Sequence, residues 1–347
     1  MPDYTTREMI EALDRTPPVR GFLQKTFFPV DKTHISEKIE FDVRKGKRIM
    51  APFVSPRKGG KVLTRQGYYT NQFTTPKIAP ERPVTIDDIT SRMIGENVYS
   101  QKTPEEREDE LLANDMTDLE ESIDRRKEWM SRQVLYEGKL DVVDEEEGVD
   151  VQVDFGFTKI YVLASDEQWS LATVNPVKTL RPIRKGIIKD TGAAPDMMIF
   201  ASDVIEDFLE NPFVLKAMDV LNMKNVKIEP RVVDPALTFY GRIAELDMDI
   251  YTYDEWFLND EGEDEAIIPP GTVLMAHSGG EGQIEYGLVT QMEDKKFRSY
   301  EGRLVPKVWA DENDEIKKVR LTSRPLPRPY DVDSWAVIYV SQKSAAE

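Results

Sequence analysis

Between Thr103 and Gly138 the sequence carries the signals of one uninterrupted helix, and any fold for this chain has to be built along it. Thr103-Pro104-Glu105-Glu106 supplies a cap hydroxyl, a proline at the first helical position and a glutamate placed to return a hydrogen bond to the cap. Behind it Leu112, Met116, Leu119, Ile123, Met130 and Val134 recur at spacings of four, three, four, seven and four, one apolar stripe on one face. Gly138 is a natural terminator, so a helix is predicted over 104–137. At about 1.5 Å per residue it is about 50 Å long, several times the globular average. The other face reads as densely charged through Glu120, Glu121, Asp124, Arg125, Arg126 and Lys127. A coiled-coil segment is the alternative reading of such a pattern.

The second constraint is electrical. Residues 43–80 contain no Asp or Glu, yet the chain has 64 of them among its 347 residues. That stretch carries nine cations: Arg44, Lys45, Lys47, Arg48, Arg57, Lys58, Lys61, Arg65 and Lys77. The rest of the chain then holds 37 basic against 64 acidic residues, a net of −27 within an overall −18. A basic arm on an acidic body is either a hook for nucleic acid or a segment that lies across the acidic surface of a sister subunit. A nucleic-acid element wants aromatics interleaved for stacking, but Tyr68, Tyr69 and Phe73 follow the densest charge. An intersubunit arm needs an extended conformation, few packing residues and charge opposite to the body, and this stretch has all three. The acidic body argues against strong sequence-independent DNA binding, which draws its affinity from neutralised phosphates.

Along the chain, Thr6 to Leu13 is a short amphipathic segment, followed by Thr16-Pro17-Pro18 and the apolar cluster Phe22, Leu23, Phe27 and Phe28. Alternation from Lys38 through Val43 predicts a half-buried strand, Ile49 to Val54 resumes it, and Gly59-Gly60 offers a turn, together a long hairpin. Val149, Val151, Val153, Phe155 and Phe157 alternate with Asp150, Gln152, Asp154 and Gly156 as another strand, preceded by an acidic turn at 144–147. Asn175-Pro176 opens a helix towards Lys189, expected to be interrupted at Pro182 and to end by Gly192. Met197 to Ala201 reads as a buried strand and Ser202 as the cap of a helix through Glu210. Strands then dominate: 226–228, 237–243, 248–253, 273–276, 284–289 and 319–321, with an acidic loop at 259–266. A proline knot at 325–329 precedes a last strand at 335–340 and a polar tail. The length suits about two domains of α+β or α/β type.

Chemistry finds little to hold. With no cysteine, disulfides, thiolate zinc sites and cysteine nucleophiles are excluded. His34 and His277 are the only imidazoles, and His277-Ser278 in a glycine-rich loop is more simply a connection between strands than a nucleophile and base. The same loop lacks the Gly-Lys-Ser/Thr ending of a phosphate loop, and the acidic runs lack calcium-loop spacing. No catalytic residue, cofactor or metal is expected. No run approaches the roughly 18 apolar residues of a membrane span, and the start has no signal-peptide core, so an intracellular product, soluble or self-assembling, and no membrane partner are expected.

The order of a tether, a basic hairpin, one very long helix, a mixed middle region and a late strand resembles the major capsid proteins of tailed bacteriophages, in particular the lambda-type coat protein family. The residues that carry it are Ile39 to Val43 with Arg48 to Val54, Phe73-Thr74-Thr75-Pro76-Lys77-Ile78, Val153-Asp154-Phe155-Gly156, Thr191-Gly192 before Pro195-Asp196, and Pro325-Leu326-Pro327. The resemblance implies the α+β fold named after the Hong Kong ninety-seven phage coat. It would place an N-terminal arm at 1–37, an extended loop at 38–80, a peripheral domain at 81–170 with its spine helix at 104–137, an axial domain at 171–318, and a return to the peripheral domain at 319–347. Arg44, Lys45, Lys47, Arg48, Arg57, Lys58, Lys61 and Arg65 would then make intersubunit contacts. The implied role is a shell subunit, assembled in the host cytoplasm into hexamers and pentamers of an icosahedral virion head. Its implied partners are further copies, a portal, and packaged double-stranded DNA met without sequence-specific contact. A separate scaffolding protein is expected because no large charged helical segment precedes the arm, and the family's small trimeric cementing protein is a further candidate. The competing reading is a soluble enzyme or nucleic-acid-associated protein whose site follows no recognisable pattern.

Overall fold

The computed structural model describes residues 21–43, 69–91, 102–144, 149–219, 231–234, 236–259, 262–279, 282–293, 295–311 and 315–340, together with Thr6, Met9 and Ile10. The predicted strands at 49–54 and 226–228, and most of the acidic turn at 144–147, lie outside them.

The long helix runs Pro104–Glu137. Its start is the expected reciprocal cap: the Glu106 amide donates to Thr103 Oγ1 at 3.3 Å and the Thr103 amide to Glu106 Oε2 at 2.9 Å. It ends because Gly138 takes φ 68°, a left-handed conformation, with its amide on the Val134 carbonyl at 3.0 Å. A side chain at 138 would meet Phe157 Cβ at 2.0 Å, so this position also needs the missing Cβ. The apolar stripe packs inside its own chain and not on a partner helix: Leu119 and Ile123 meet Leu304, Val319 and Leu321, and Met130, Val134 and Leu135 enter the main core. The charged face is narrower than the sequence implies, since Asp124 and Lys127 are buried as an ion pair and Lys127 lies over the Tyr286 ring. Periodicity puts them on the charged face, and helix Phe22–Phe27 packs there, with Gln24 donating to the Asp124 carbonyl.

The main core forms around a seven-stranded sheet in the order Ile160–Val162, Ala336–Tyr339, Thr272–Ala276, Met197–Phe200, Met248–Tyr253, Leu237–Ile243, Arg231–Asp234. Its strands Met197–Phe200 and Thr272–Ala276 are buried along their whole length, which is why both read as continuous apolar runs. Helices Pro176–Thr191, Ser202–Glu210 and Pro212–Asp219 bury apolar faces in the same core, where Trp169, Phe200 and Phe208 cluster with ring centroids 4.7–6.2 Å apart. A three-stranded sheet of Val305–Asp311, Ile316–Thr322 and Glu81–Val84 lies along the long helix, and another joins Val30–Thr33, Gln283–Tyr286 and Pro325–Arg328.

Several expectations are corrected. Pro182 does not interrupt its helix: the ring sits on the exposed side, one backbone bond is forgone, and burial of Leu180, Ile183 and Ile187 carries the helix through. Ser202 is the first helical residue and not the cap; its hydroxyl donates to Asp254. The proline knot is a strand, Pro325–Arg328, tolerated at a sheet edge where a missing amide breaks no ladder. The last strand pairs with Thr272–Ala276 on one side and with Ile160–Val162 on the other, in the seven-stranded sheet. Val305–Asp311 is hydrogen-bonded into the sheet beside the long helix. Strand pairing in both sheets joins residues far apart in sequence.

Candidate intersubunit surface

Lys38–Val43 pairs antiparallel with Tyr69–Thr74, from Lys38 opposite Thr74 to Val43 opposite Tyr69. This is the foot of the predicted hairpin. Arg44, Lys45, Lys47, Arg48, Arg57, Lys58, Lys61 and Arg65 lie beyond it, outside the described residues. The foot is fixed to the body. Arg324 joins Glu37 Oε1 at 2.7 Å and donates to the Thr75 carbonyl at 3.0 Å, while the Thr75 hydroxyl donates to the Glu37 carbonyl at 3.0 Å. Gly287 lies so close that a Cβ there would be 2.2 Å from Thr75 Oγ1. Lys77 is pushed below the ordinary lysine range, first by burial and then by Arg320 and Arg324. Arg324 has no distinguishing signal in the sequence, because its partners are 249 and 287 residues away.

The N-terminal segment is fastened at three places. Thr6 donates to Glu293 Oε1 at 2.7 Å. Val30–Thr33 adds in parallel to Gln283–Tyr286, and at its end His34 meets the buried Glu285, whose other oxygen accepts from Arg328 Nε at 2.8 Å. Between them, helix Phe22–Phe27 docks on the long helix through Glu128. Its fully buried carboxylate accepts from the amides of Leu23 at 2.8 Å and Gln24 at 3.1 Å, and Gln24 Nε2 donates to the Asp124 carbonyl at 2.9 Å. Gly21 makes the approach possible, since a Cβ there would be 2.2 Å from Glu128 Cδ. Burial drives the Glu128 carboxyl above its ordinary range, the two amides opposing it.

The outer face of the long helix is acidic in its first half, with Glu105, Glu106, Asp109, Glu110 and Asp118 exposed. At the other candidate, Ser278 Oγ donates to Asp196 Oδ2 at 2.7 Å and His277 Nδ1 lies 3.3 Å from the same oxygen. The hydroxyl and the imidazole therefore share a carboxylate that ties down a loop, and the hydroxyl is not directed at a base. Among the described residues no cluster of three metal-ligating side chains occurs, and no helix is long and apolar enough to cross a membrane.

A seven-stranded core, a long helix with its own small sheet, a docked N-terminal segment and the anchored strand pair Lys38–Val43 with Tyr69–Thr74 define a coat-protein fold of the Hong Kong ninety-seven type. The crystal structure of a prophage capsid-protein candidate from Escherichia coli CFT073 superposes with a TM-score of 0.71 at 17% identity, covering 97% of this chain and 99% of that one. A phage-related protein of Bordetella bronchiseptica RB50 gives 0.52 at 10% identity over 96% of each chain. The chain belongs to the family described as Phage major capsid protein E, whose profile matches residues 5–338. The major capsid protein of Enterobacteria phage P21 is 22% identical over 344 residues, and that of Escherichia phage lambda 20% over 343, each match covering 97% of this chain and 99% of the relative. The chain is thus a phage-head major capsid protein, a structural component of the virion and not an enzyme, and it assembles into capsid oligomers.

Proposed function

We propose that copies of this chain form the hexamers and pentamers of an icosahedral head, each copy laying its basic hairpin over the acidic surface of a neighbour. The seven-stranded sheet would be the axial part, clustered at the capsomer centre. The long helix and its sheet would be the peripheral part. The observation that carries this reading is the charge division in the sequence, nine cations and no acid in residues 43–80 against a net −27 in the remainder, with the strand pair at the base of that stretch anchored by Arg324. The exposed carboxylates on the first half of the long helix are a suitable receiving surface. Double-stranded DNA would pass an acidic wall without sequence-specific grip. Assembly in the host cytoplasm would draw on a separate scaffold, a portal and, at the outer surface, a trimeric cementing protein.

Reversing Arg44, Lys45, Lys47 and Arg48 to Glu is expected to abolish shells in electron micrographs while leaving the melting temperature of the unassembled chain unchanged. A large fall in that temperature would show that the hairpin packs on its own body, and the reading would fail.

A further inference from the structure

Helix Pro176–Thr191 presents an unusual face to solvent. Val177, Leu180, Ile183 and Ile187 are buried, while Arg181, Lys185 and Lys189 form an exposed row at spacings of four. Like charges so placed on a helix repel one another and weaken it. The one acidic residue of the helix, Asp190, is held by Lys159 at 2.5 Å, and Arg181 is joined to Glu245. Neither Lys185 nor Lys189 forms an ion pair among the described residues. Beside this row lie Pro182 and Gly186, also four apart. A Cβ built on Gly186 meets nothing within 4 Å, so no contact inside the chain calls for a glycine that disfavours the helix. The result is a low shelf bordered by cations.

A second, different face has the opposite character. In the hairpin of Trp256–Leu258 and Asp264–Ala266, Trp256 and Leu258 are 55% and 69% exposed on one side, with Phe257 turned inward. Next to them Glu263 and Asp264 are exposed. Large apolar groups left in solvent beside carboxylates mark a surface that another protein covers. The two faces do not meet within one chain. Glu245, which Arg181 reaches, precedes strand Met248–Tyr253 and Trp256 follows it, so the six-residue strand separates them by about 20 Å at about 3.3 Å per residue.

We propose that the basic shelf of helix Pro176–Thr191 receives the acidic, apolar-edged hairpin of Trp256–Leu258 and Asp264–Ala266 from a second copy. Two unlike faces joined in this way make a head-to-tail contact, the kind that repeats around a ring. The proposal rests on the assembly reading above and adds a contact independent of the basic hairpin. A second copy is favoured over nucleic acid because a shelf made low by Gly186 and the short Pro182 ring seats a protein element closely, and because Trp256 and Leu258 need an occupant too.

The chain has no cysteine, so the contact can be tested by crosslinking. Lys189→Cys, Asp264→Cys and the double variant are produced together with the other head proteins of the phage, and shells are treated with a short bismaleimide. A ladder of covalent oligomers is expected from the double variant and not from either single one. In parallel, Lys185→Glu with Lys189→Glu should lower shell yield at least tenfold without changing the melting temperature of the unassembled chain, and adding Glu263→Lys with Asp264→Lys should restore it. Normal shells of the double cysteine variant with no ladder overturn the proposal. So does a charge-reversed chain that forms shells at full yield but packages less DNA, which would assign the shelf to nucleic acid. If the unsubstituted chain forms no shells in this setting, the assembly reading itself fails, and this contact with it.

Discussion

From Leu119 to Tyr136 the long helix contributes eleven buried residues, whereas from Pro104 to Asp118 it contributes Asp115 alone. The last two turns, Met130 to Tyr136, are part of the main core with Leu23, Phe27, Phe28 and Trp335, whose indole Nε1 donates to the Leu135 carbonyl at 2.6 Å, while Leu119 and Ile123 are buried in a smaller cluster with Leu304, Val319 and Leu321. The first half is held by charge. Arg82 Nη1 bridges Asp115 at 2.8 Å and Asp118 at 2.6 Å, and Lys317 Nζ reaches Glu108 at 2.7 Å. One continuous secondary structure thus has a rigid root and a lightly held, acidic free end. The difference shows how a subunit can keep a stable body while leaving a charged edge available for neighbours.

The comparison is most exposed to core truncation. Met130→Ala, in the root, is expected to cost about 2–5 kcal/mol in denaturant unfolding of the unassembled chain. Leu112→Ala, on the same stripe in the free half and only partly buried, should cost about 1 kcal/mol or less. Equal costs would mean that both halves are core. Next in size is Glu128→Ala, which leaves the amides of Leu23 and Gln24 without their acceptor and should cost about 2–4 kcal/mol.

Glu128 also sharpens the contrast through pH. Its folded value is raised, mainly by burial, so folding takes up a proton there. That contribution is fully present below the unfolded carboxylate range and is lost as pH rises through the raised folded value. Glu128→Gln carries no such proton, so the stability of the native chain relative to this variant should decline as pH rises out of the carboxylate range. A pH-independent difference between the two melting curves would contradict the burial argument. The smallest effect is expected at Arg82. Its side chain is 45% exposed, so Arg82→Ala should cost about 1 kcal/mol or less, and the loss should shrink in high salt.

What could be read from the sequence was local. Thr103, Glu106 and Gly138 mark both helix ends because a cap and a left-handed turn involve residues only a few positions apart. Strands Leu237–Ile243 and Met248–Tyr253 are readable for the same reason, as pattern lies within each segment. Val30–Thr33 carries no readable strand signal because its parallel partner is Gln283–Tyr286, and Pro325–Arg328 carries none because proline masks an edge strand. Glu128 reads as one more charge on a charged helix until helix Phe22–Phe27 is placed over it.

By itself, then, the sequence determined the extent of the long helix, the separation of basic arm from acidic body, and, through short motifs in a particular order, the capsid family. Tertiary structure alone decided which half of that helix is buried, that the last strand joins the seven-stranded sheet, and that Arg324 and Glu128 fasten the arm and the N-terminal segment. The division has a physical cause. Caps, periodicity and charge runs act over a few residues, whereas burial and strand pairing depend on which distant segments displace water from one another.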